Sequence, residues 1–493
     1  MEGVRMIISF RKGYVWIYLL ALFGPNIAMG GEIVFPERIQ KVLDSTRPLS
    51  HDRGQRLPLY LWPCMDPEDV GEDKLCHMLR ALNERGIGLI MSWQPSHEQR
   101  DRSLQQALKV ARIQKELGLP ISANANACLY SFFNGDERTM HVDEDGKGFW
   151  DDSFGPGHKM GCPFTLGFRE SEIRERIEFF SQGYKREGLE LGFVFADWEI
   201  DGPLEVNRAH ASSLRCERCR ENLPGIEDFK TFQETIRRMR SRLQRVCFAQ
   251  PILSLHPQCL VGNYAIYPNN GLRYWYDYFE FYEQGQPYVQ DQKARYRRWA
   301  QDFPNTGYTF AMPVVYTWYD TYHWYDFEDA DYRWFYNMLL VASNAGQHTP
   351  PNIPIIAFVH WHTTSPPKDP DPSVRQFSAE KYQELLWHML LRGTDSFFLW
   401  SPREEEQREV ELLHPVYAAS FEYCDFLEKG TPVSFEVPDT PCPVVSGLKL
   451  KDRLLVRRTE FGDATGEPVE LVVDGKTILV EARPGQCQIL DLK

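Results

Sequence analysis

The chain is short of positive charge: its 493 residues hold 55 lysines and arginines against 69 aspartates and glutamates, a formal net charge of −14. That balance excludes a general affinity for nucleic acid or for an anionic membrane surface, since both need a basic footprint. Long apolar runs are equally scarce. The N-terminal one, residues 14–23, follows Arg5, Arg11 and Lys12 and is cut by Gly24, Pro25 and Asn26. It falls short of the roughly 20 apolar residues that a membrane span requires. A short apolar core behind a basic start, with Ala28-Met29-Gly30 beyond it, reads as a secretory signal over residues 1–30 in preference to an anchor. This leaves a lead-in segment over 31–56, no stable membrane span after cleavage, and a secreted or periplasmic location as expectations. Also missing are an internal repeat and a glycine-rich phosphate loop after the first predicted strand, where Leu61-Trp62-Pro63-Cys64 stands instead. No motif calls for a cofactor, and no feature speaks to oligomeric state.

What is present suffices for one large core and a smaller module: 43% of residues are hydrophobic and 13% aromatic. From Leu57 onward short apolar runs alternate with amphipathic stretches, the pattern of parallel strands joined by crossover helices. Predicted strands fall at 57–62, 87–93, 119–127, 190–199, 251–256, 308–318, 354–361 and 394–400. Predicted helices fall at 72–85, 98–117, 168–187, 225–247, 277–301, 328–344, 378–392 and 404–428. These units predict an α/β fold, a (β/α)8 TIM barrel over residues 57–430. After about Gly430 the texture turns to short strands at 434–437, 444–449, 453–458, 469–473, 477–481 and 487–491, a small C-terminal β-sandwich over 431–493 with Asp474-Gly475 as a hairpin turn.

The 11 cysteines predict some disulfides in an exported chain. Cys216-Glu-Arg-Cys219 is the one close pair. With no second pair or histidine cluster near it in sequence, a local disulfide or two free thiols is favoured over a zinc site.

Active sites of such barrels sit at the carboxyl ends of the strands. The fourth predicted strand ends Phe193-Val194-Phe195-Ala196 and then Asp197-Trp198-Glu199. Alternation along a strand puts Asp197 and Glu199 on one side and Trp198 on the other. Two carboxyls that close raise each other's pKa, so Glu199 is the candidate proton donor and Asp197 the acid that stays charged and orients substrate. The plainer alternative is a strand-end acid pair that binds backbone amides or an arginine. The other strand ends carry Trp62, Trp93, Tyr130, Tyr264, Tyr267, Tyr316, Trp318, Trp361 and Trp400. Each alone is core material, but their recurrence at strand ends suits an aromatic-lined cleft for sugar rings. The seventh strand ends His360-Trp361-His362 without a carboxylate, and the sixth offers Asp320 just past Trp318. Without an opposing acid, the nucleophile is expected from the substrate, a 2-acetamido oxygen. His360 and His362 alternate toward one side, but no third ligand at suitable spacing is evident, so hydrogen bonding is favoured over metal.

The Asp197-Trp198-Glu199 strand end, the Val261-Gly262-Asn263-Tyr264-Ala265-Ile266-Tyr267-Pro268 segment, Pro313-Val314-Val315-Tyr316 and Phe397-Phe398-Leu399-Trp400 together resemble the hyaluronidase family. The resemblance spans roughly residues 57–428. It implies that Glu199 is the proton donor, that Asp197 positions the acetamido group, that Tyr264 and Tyr316 hydrogen-bond the reacting sugar, and that Trp400 forms part of its pocket. It also implies retention of anomeric configuration through an oxazolinium intermediate. The chain departs from the family after the motif, where Ile200-Asp201-Gly202-Pro203 stands, and in its sandwich-like tail. A polyanionic substrate would rely on local charge from Arg273, Lys293, Arg297 and Arg298. The leading expectation is a secreted glycoside hydrolase acting on N-acetylhexosamine-containing glycans, with Trp318, Asp320 and Trp361 as further substrate contacts. Two alternatives are kept: a retaining glycosidase of neutral glycans using an enzyme carboxylate such as Asp320 or Asp197 as nucleophile, and a glycan-binding barrel without turnover.

Overall fold

A computed structural model describes residues 35–492, apart from 63–69, 130–134, 154, 156, 200–206, 275–280, 282–284, 286–294 and 463–465. The predicted signal, Cys64, Tyr130, the 200–203 stretch and Lys293 therefore lie outside the described residues.

The strands are β1 (Leu59–Trp62), β2 (Ile87–Gly88), β3 (Ile90–Ser92), β4 (Ile121–Asn124), then a hairpin of β5 (His141–Val142) and β6 (Gly148–Phe149). There follow β7 (Leu191–Phe195), β8 (Leu260–Gly262), β9 (Val314–Trp318), β10 (Ile356–Thr364) and β11 (Ser396–Trp400). Parallel pairing runs β9-β10-β11-β1-β2 and β3-β4-β7-β8. β2 and β3 are one run broken at Leu89, which joins the two sheets. The last strand pairs with the first, Tyr60 opposite Phe398. The remaining seam is bridged where Thr309, ahead of β9, donates its N–H to the Val261 carbonyl at 2.9 Å, while Val261 N–H donates to Thr309 Oγ1 at 2.7 Å. This is the strand order of a (β/α)8 barrel, with helices such as Arg100–Glu116, Gly167–Arg186, Ala330–His348 and Glu406–Ser420 as crossovers.

Aromatic side chains fill the middle. Tyr60 of β1 stacks on Phe193 of β7 with ring centroids 4.1 Å apart, Phe193 lies 5.2 Å from Phe310, and Phe195 lies 4.5 Å from Phe398 of β11. Strands separated by two or three others along the ladder can meet this way only if the sheet curls on itself.

The structure corrects three expectations. The apolar run 251–256 is not the fifth strand: Gln250–Leu255 is helical, and the strand is Leu260–Gly262. A short apolar run is the same in a buried helix and a buried strand. Here helix Phe229–Gln244 continues through a wide π turn at Arg245–Ala249, which accommodates Pro251 and its missing N–H. The expected strand at 434–437 is irregular; the chain pairs earlier, at β12 (Thr431–Pro432). None of the ten described cysteines forms a disulfide.

The C-terminal strands β13 (Val444–Leu450), β14 (Arg453–Thr459) and β17 (Cys487–Asp491) join β12 in an antiparallel sheet. The hairpin of β15 (Val469–Val473) and β16 (Lys476–Val480) covers it around Leu454, Val456, Val473, Val480 and Leu492. Asp474 and Gly475 turn that hairpin with φ of 52° and 76°, the left-handed pair that a tight two-residue turn needs. The module is pinned to helix Ala379–Leu390 by buried polar contacts: Arg457 ion-pairs with Glu384 at 2.5 Å, and His388 sits between Ser446 Oγ at 2.7 Å and Thr459 Oγ1 at 3.0 Å. Among the described residues no helix is long and apolar enough to cross a membrane.

Candidate active site

Because Phe193 and Phe195 point into the barrel, the next two odd positions, Asp197 and Glu199, continue that side at the carboxyl end of β7. Trp198 points outward and is buried at 1% exposure. Arg240, from helix Phe229–Gln244, lies over its ring at 4.8 Å and donates to its carbonyl at 2.7 Å. The backbone of the acid pair is thus clamped from behind. From the neighbouring unit Asn126 Oδ1 accepts the Asp197 N–H at 2.5 Å, and Asn126 is itself held by the Asn124 side chain at 3.0 Å.

Tyr264, just past β8, donates its hydroxyl to Asp197 Oδ1 at 2.7 Å. Its ring stacks on Phe358 of β10 at 4.8 Å. Asp197 also accepts the backbone N–H of Glu199. Burial pushes both carboxyls up, but Asp197 has two donors that favour its charged form. Glu199 is pushed up to about 8 by burial and then by the Asp197 charge. Glu199 therefore keeps its proton at neutral pH, and Asp197, with two donors against the one that Glu199 has, is the member of the pair better able to carry charge. Burial followed by these two acids also lifts the Tyr264 and Tyr316 hydroxyls well above the ordinary tyrosine value, keeping both as donors.

Tyr316 of β9 stacks on His360 at 4.2 Å, His360 on His362 at 4.4 Å, and Trp400, closing β11, lies 5.2 Å from His360 and 5.7 Å from His362. This row forms the wall beside the acids. His360 is fully buried, and burial holds it well below the ordinary histidine value, a neutral ring. The row is fixed by Glu409 of helix Glu406–Ser420, which accepts the N–H groups of Trp361 and His362 at 2.7 Å each and faces His362 Nδ1 at 2.7 Å. His362 Nε2 then has no hydrogen-bond partner among the described residues. Glu409 is the third residue that the sequence did not offer for a two-histidine metal site, and His360, His362 and Glu409 do cluster. Its carboxylate, however, is taken up by two backbone amides and an imidazole, and 2.7 Å is a hydrogen bond between Glu409 and His362, not the separation of two ligands across an ion.

Of the residues singled out in the sequence, Asp197, Glu199, Tyr264, Tyr316 and Trp400 come together, with His360 and His362 between the last two. Trp361 does not join them. It alternates to the outer face of β10, where its indole N–H donates to the Phe377 carbonyl at 2.7 Å and Arg408 lies over the ring at 5.7 Å. Trp93 and Tyr267 are fully buried, and Trp93 stacks on Phe180 at 5.1 Å as core. Trp318 ends β9 on the same side as Tyr316 and is buried at 7% exposure. Asp320 sits in the 3-10 turn Tyr319–Trp324, raised by burial and pulled down by His323; the carboxylate acting on Glu199 is Asp197. Asn126 and Glu409 were missed by sequence reading: the first follows a strand as one asparagine in Asn124-Ala-Asn126, and the second lies 47 residues beyond the histidine that it holds.

No family model matches the chain, and no curated protein matches it. Solved structures do. An α-L-fucosidase from Paenibacillus thiaminolyticus is 12% identical with a TM-score of 0.45, covering 77% of this chain and 51% of its own. A β-galactosidase from Halorubrum lacusprofundi is 10% identical with a TM-score of 0.47, covering 76% and 59%. Bee venom hyaluronidase is 11% identical with a TM-score of 0.34, covering 68% and 96%. This chain spans about half the length of the fucosidase and three-fifths of the galactosidase.

Proposed function

We propose that the chain is a glycoside hydrolase that cleaves N-acetylhexosamine-containing glycans with retention of configuration, the substrate's acetamido oxygen acting as nucleophile. The observation that carries this reading is the unequal acid pair just past the end of β7: Glu199 protonated, and Asp197 two residues before it, gripped by Tyr264. An acid held near pH 8 in its protonated form can deliver a proton to a leaving glycosidic oxygen. Asp197 adjoins the donor and does not face it across the scissile bond, so it is placed to orient and charge-stabilise an acetamido group while C1 is attacked. Tyr316 stays a neutral donor to a sugar oxygen while the single hydroxyl proton of Tyr264 serves Asp197, and His360, His362 and Trp400 supply a flat wall for a ring face. The hyaluronidase-like subtype and export from the cytoplasm belong to the same proposal.

Purified protein offered acetamido-bearing glycans and their plain 2-hydroxy counterparts is expected to hydrolyse the first group alone. Equal turnover of plain glycans would refute substrate assistance, and full activity of Glu199→Gln would refute the assignment of the acid.

A further inference from the structure

Away from the barrel mouth, four side chains converge that the sequence keeps far apart. His141 of β5, Cys162 ahead of the 3-10 turn Pro163–Thr165, and Cys216 and Cys219 at the start of helix Glu217–Asn222 place their ligand atoms within 4.8 Å of one another. All four are fully buried. Cys162 Sγ lies 3.5 Å from Cys219 Sγ, and Cys219 Sγ lies 3.9 Å from His141 Nδ1. Tetrahedral zinc, with Zn–S near 2.3 Å and Zn–N near 2.0–2.1 Å, needs edges of about 3.8 Å between sulfurs and about 3.6 Å between sulfur and nitrogen. Backbone N–H groups point at two of the sulfurs, Val142 at Cys216 and Phe164 at Cys162, as suits thiolate acceptors.

We infer that His141, Cys162, Cys216 and Cys219 form a structural Zn²⁺ site of the Cys3His class. Three thiols and an imidazole with no exposure would fill all four positions around the ion, with no side open for substrate or catalytic water. A disulfide would account for two of the four and leave a thiol and an imidazole buried beside it. Mixed sulfur and nitrogen ligands in tetrahedral array favour zinc over magnesium or calcium, which take oxygen.

The position explains the need. Residues 135–165 leave the barrel after β4, and 207–228 leave it after β7 and the acid pair. Their shared core is small: the three cysteines with Leu223, Ile226, Phe232 and Ile236. A few surface contacts help, such as Arg218 to the Met140 carbonyl at 2.9 Å and Ser212 to Asp151 at 2.9 Å. So small a core is the setting in which a metal crosslink supplies the folding energy. The ion staples the two excursions that follow β4 and β7, at 135–165 and 207–228.

The full chain, expressed in zinc-supplemented medium and purified without chelator, is expected to carry one zinc per molecule by elemental analysis, released in step with titration of the thiols by a mercurial. Cys162→Ser and Cys219→Ser are expected to lose that zinc, whereas Cys424→Ser, at a half-buried cysteine outside the cluster, keeps it. Should the cluster variants fail to fold, cobalt exchanged into the wild-type protein still decides the matter through the thiolate charge-transfer and tetrahedral ligand-field bands it must show. Wild-type protein that is metal-free, that carries iron in place of zinc, or that yields a disulfide among Cys162, Cys216 and Cys219 by mass would overturn the inference. Each result is independent of any glycan being cleaved.

Discussion

The acid pair and the thiol–imidazole cluster are both buried groups of potential charge at the carboxyl side of the barrel, yet they are built in opposite ways. Asp197 and Glu199 come from one short stretch just past β7, and the barrel's own packing aims them; burial and the proximity of two acids are used to hold a proton. The cluster comes from three chain segments, and its groups complete one another's geometry. The first arrangement sacrifices some stability for chemistry, and the second supplies stability where a core is thin.

That contrast breaks most visibly at Glu199. Glu199→Gln removes the proton donor and is expected to lower kcat by roughly 10³-fold or more with little change in KM, measured on an acetamido-bearing glycan. Asp197→Asn keeps the shape but removes the charge; a loss of roughly 10²–10³-fold is expected, because stabilisation of developing charge is the term removed. Activity of the wild type should fall on the alkaline side around pH 8, as Glu199 gives up its proton, and a flat profile up to pH 10 would contradict the assignment.

A stability measurement sharpens the contrast from the other side. Glu199 keeps its proton in the folded state up to about pH 8, while the unfolded chain releases it near the ordinary glutamate value of 4.5. The folded state therefore binds more protons across that window, and this contribution to stability is full below about pH 4.5 and drains away as pH rises to about 8. Glu199→Gln escapes the loss. Its thermal midpoint should match wild type at low pH and exceed it by a few degrees at pH 8, about 1–2 kcal/mol after allowing for the carboxyl's partial access to solvent. Smallest of all, Trp361→Phe is expected to leave kcat and KM within about twofold, since the ring packs under Arg408 on the outer face; a large rise in KM would return Trp361 to the sugar site.

How much of this could be read from the sequence follows the same division. Apolar strands closing on polar residues gave the barrel, and strict alternation gave the relation of Asp197, Trp198 and Glu199, because both depend on neighbours in the chain. The run at 251–256 misled, since hydrophobicity alone does not separate a short buried helix from a strand, and the true fifth strand, Leu260–Gly262, is three residues long. Trp361 was placed in the cleft by its position at a strand end, although the period of two that was applied to β7 assigns it to the face opposite His360 and His362. Cys216 and Cys219 showed the spacing of a zinc knuckle, but their partners stand 54 residues before Cys216, at Cys162, and 75 before it, at His141. Only folding brings such distances together. Glu409 was hidden likewise, on the face of a helix that reads in sequence as one more charged surface.

The pairing of β1 with β11 sets a timetable as well as a shape. Tyr60 takes its place beside Phe398, a residue made 338 positions later, so one edge of β1 has no neighbour for roughly 17–70 s of synthesis at about 5–20 residues per second. For that interval Leu59, Tyr60 and Leu61, all buried in the finished barrel, lie on a strand with an unpaired edge, an aggregation hazard that ends only when the ring closes.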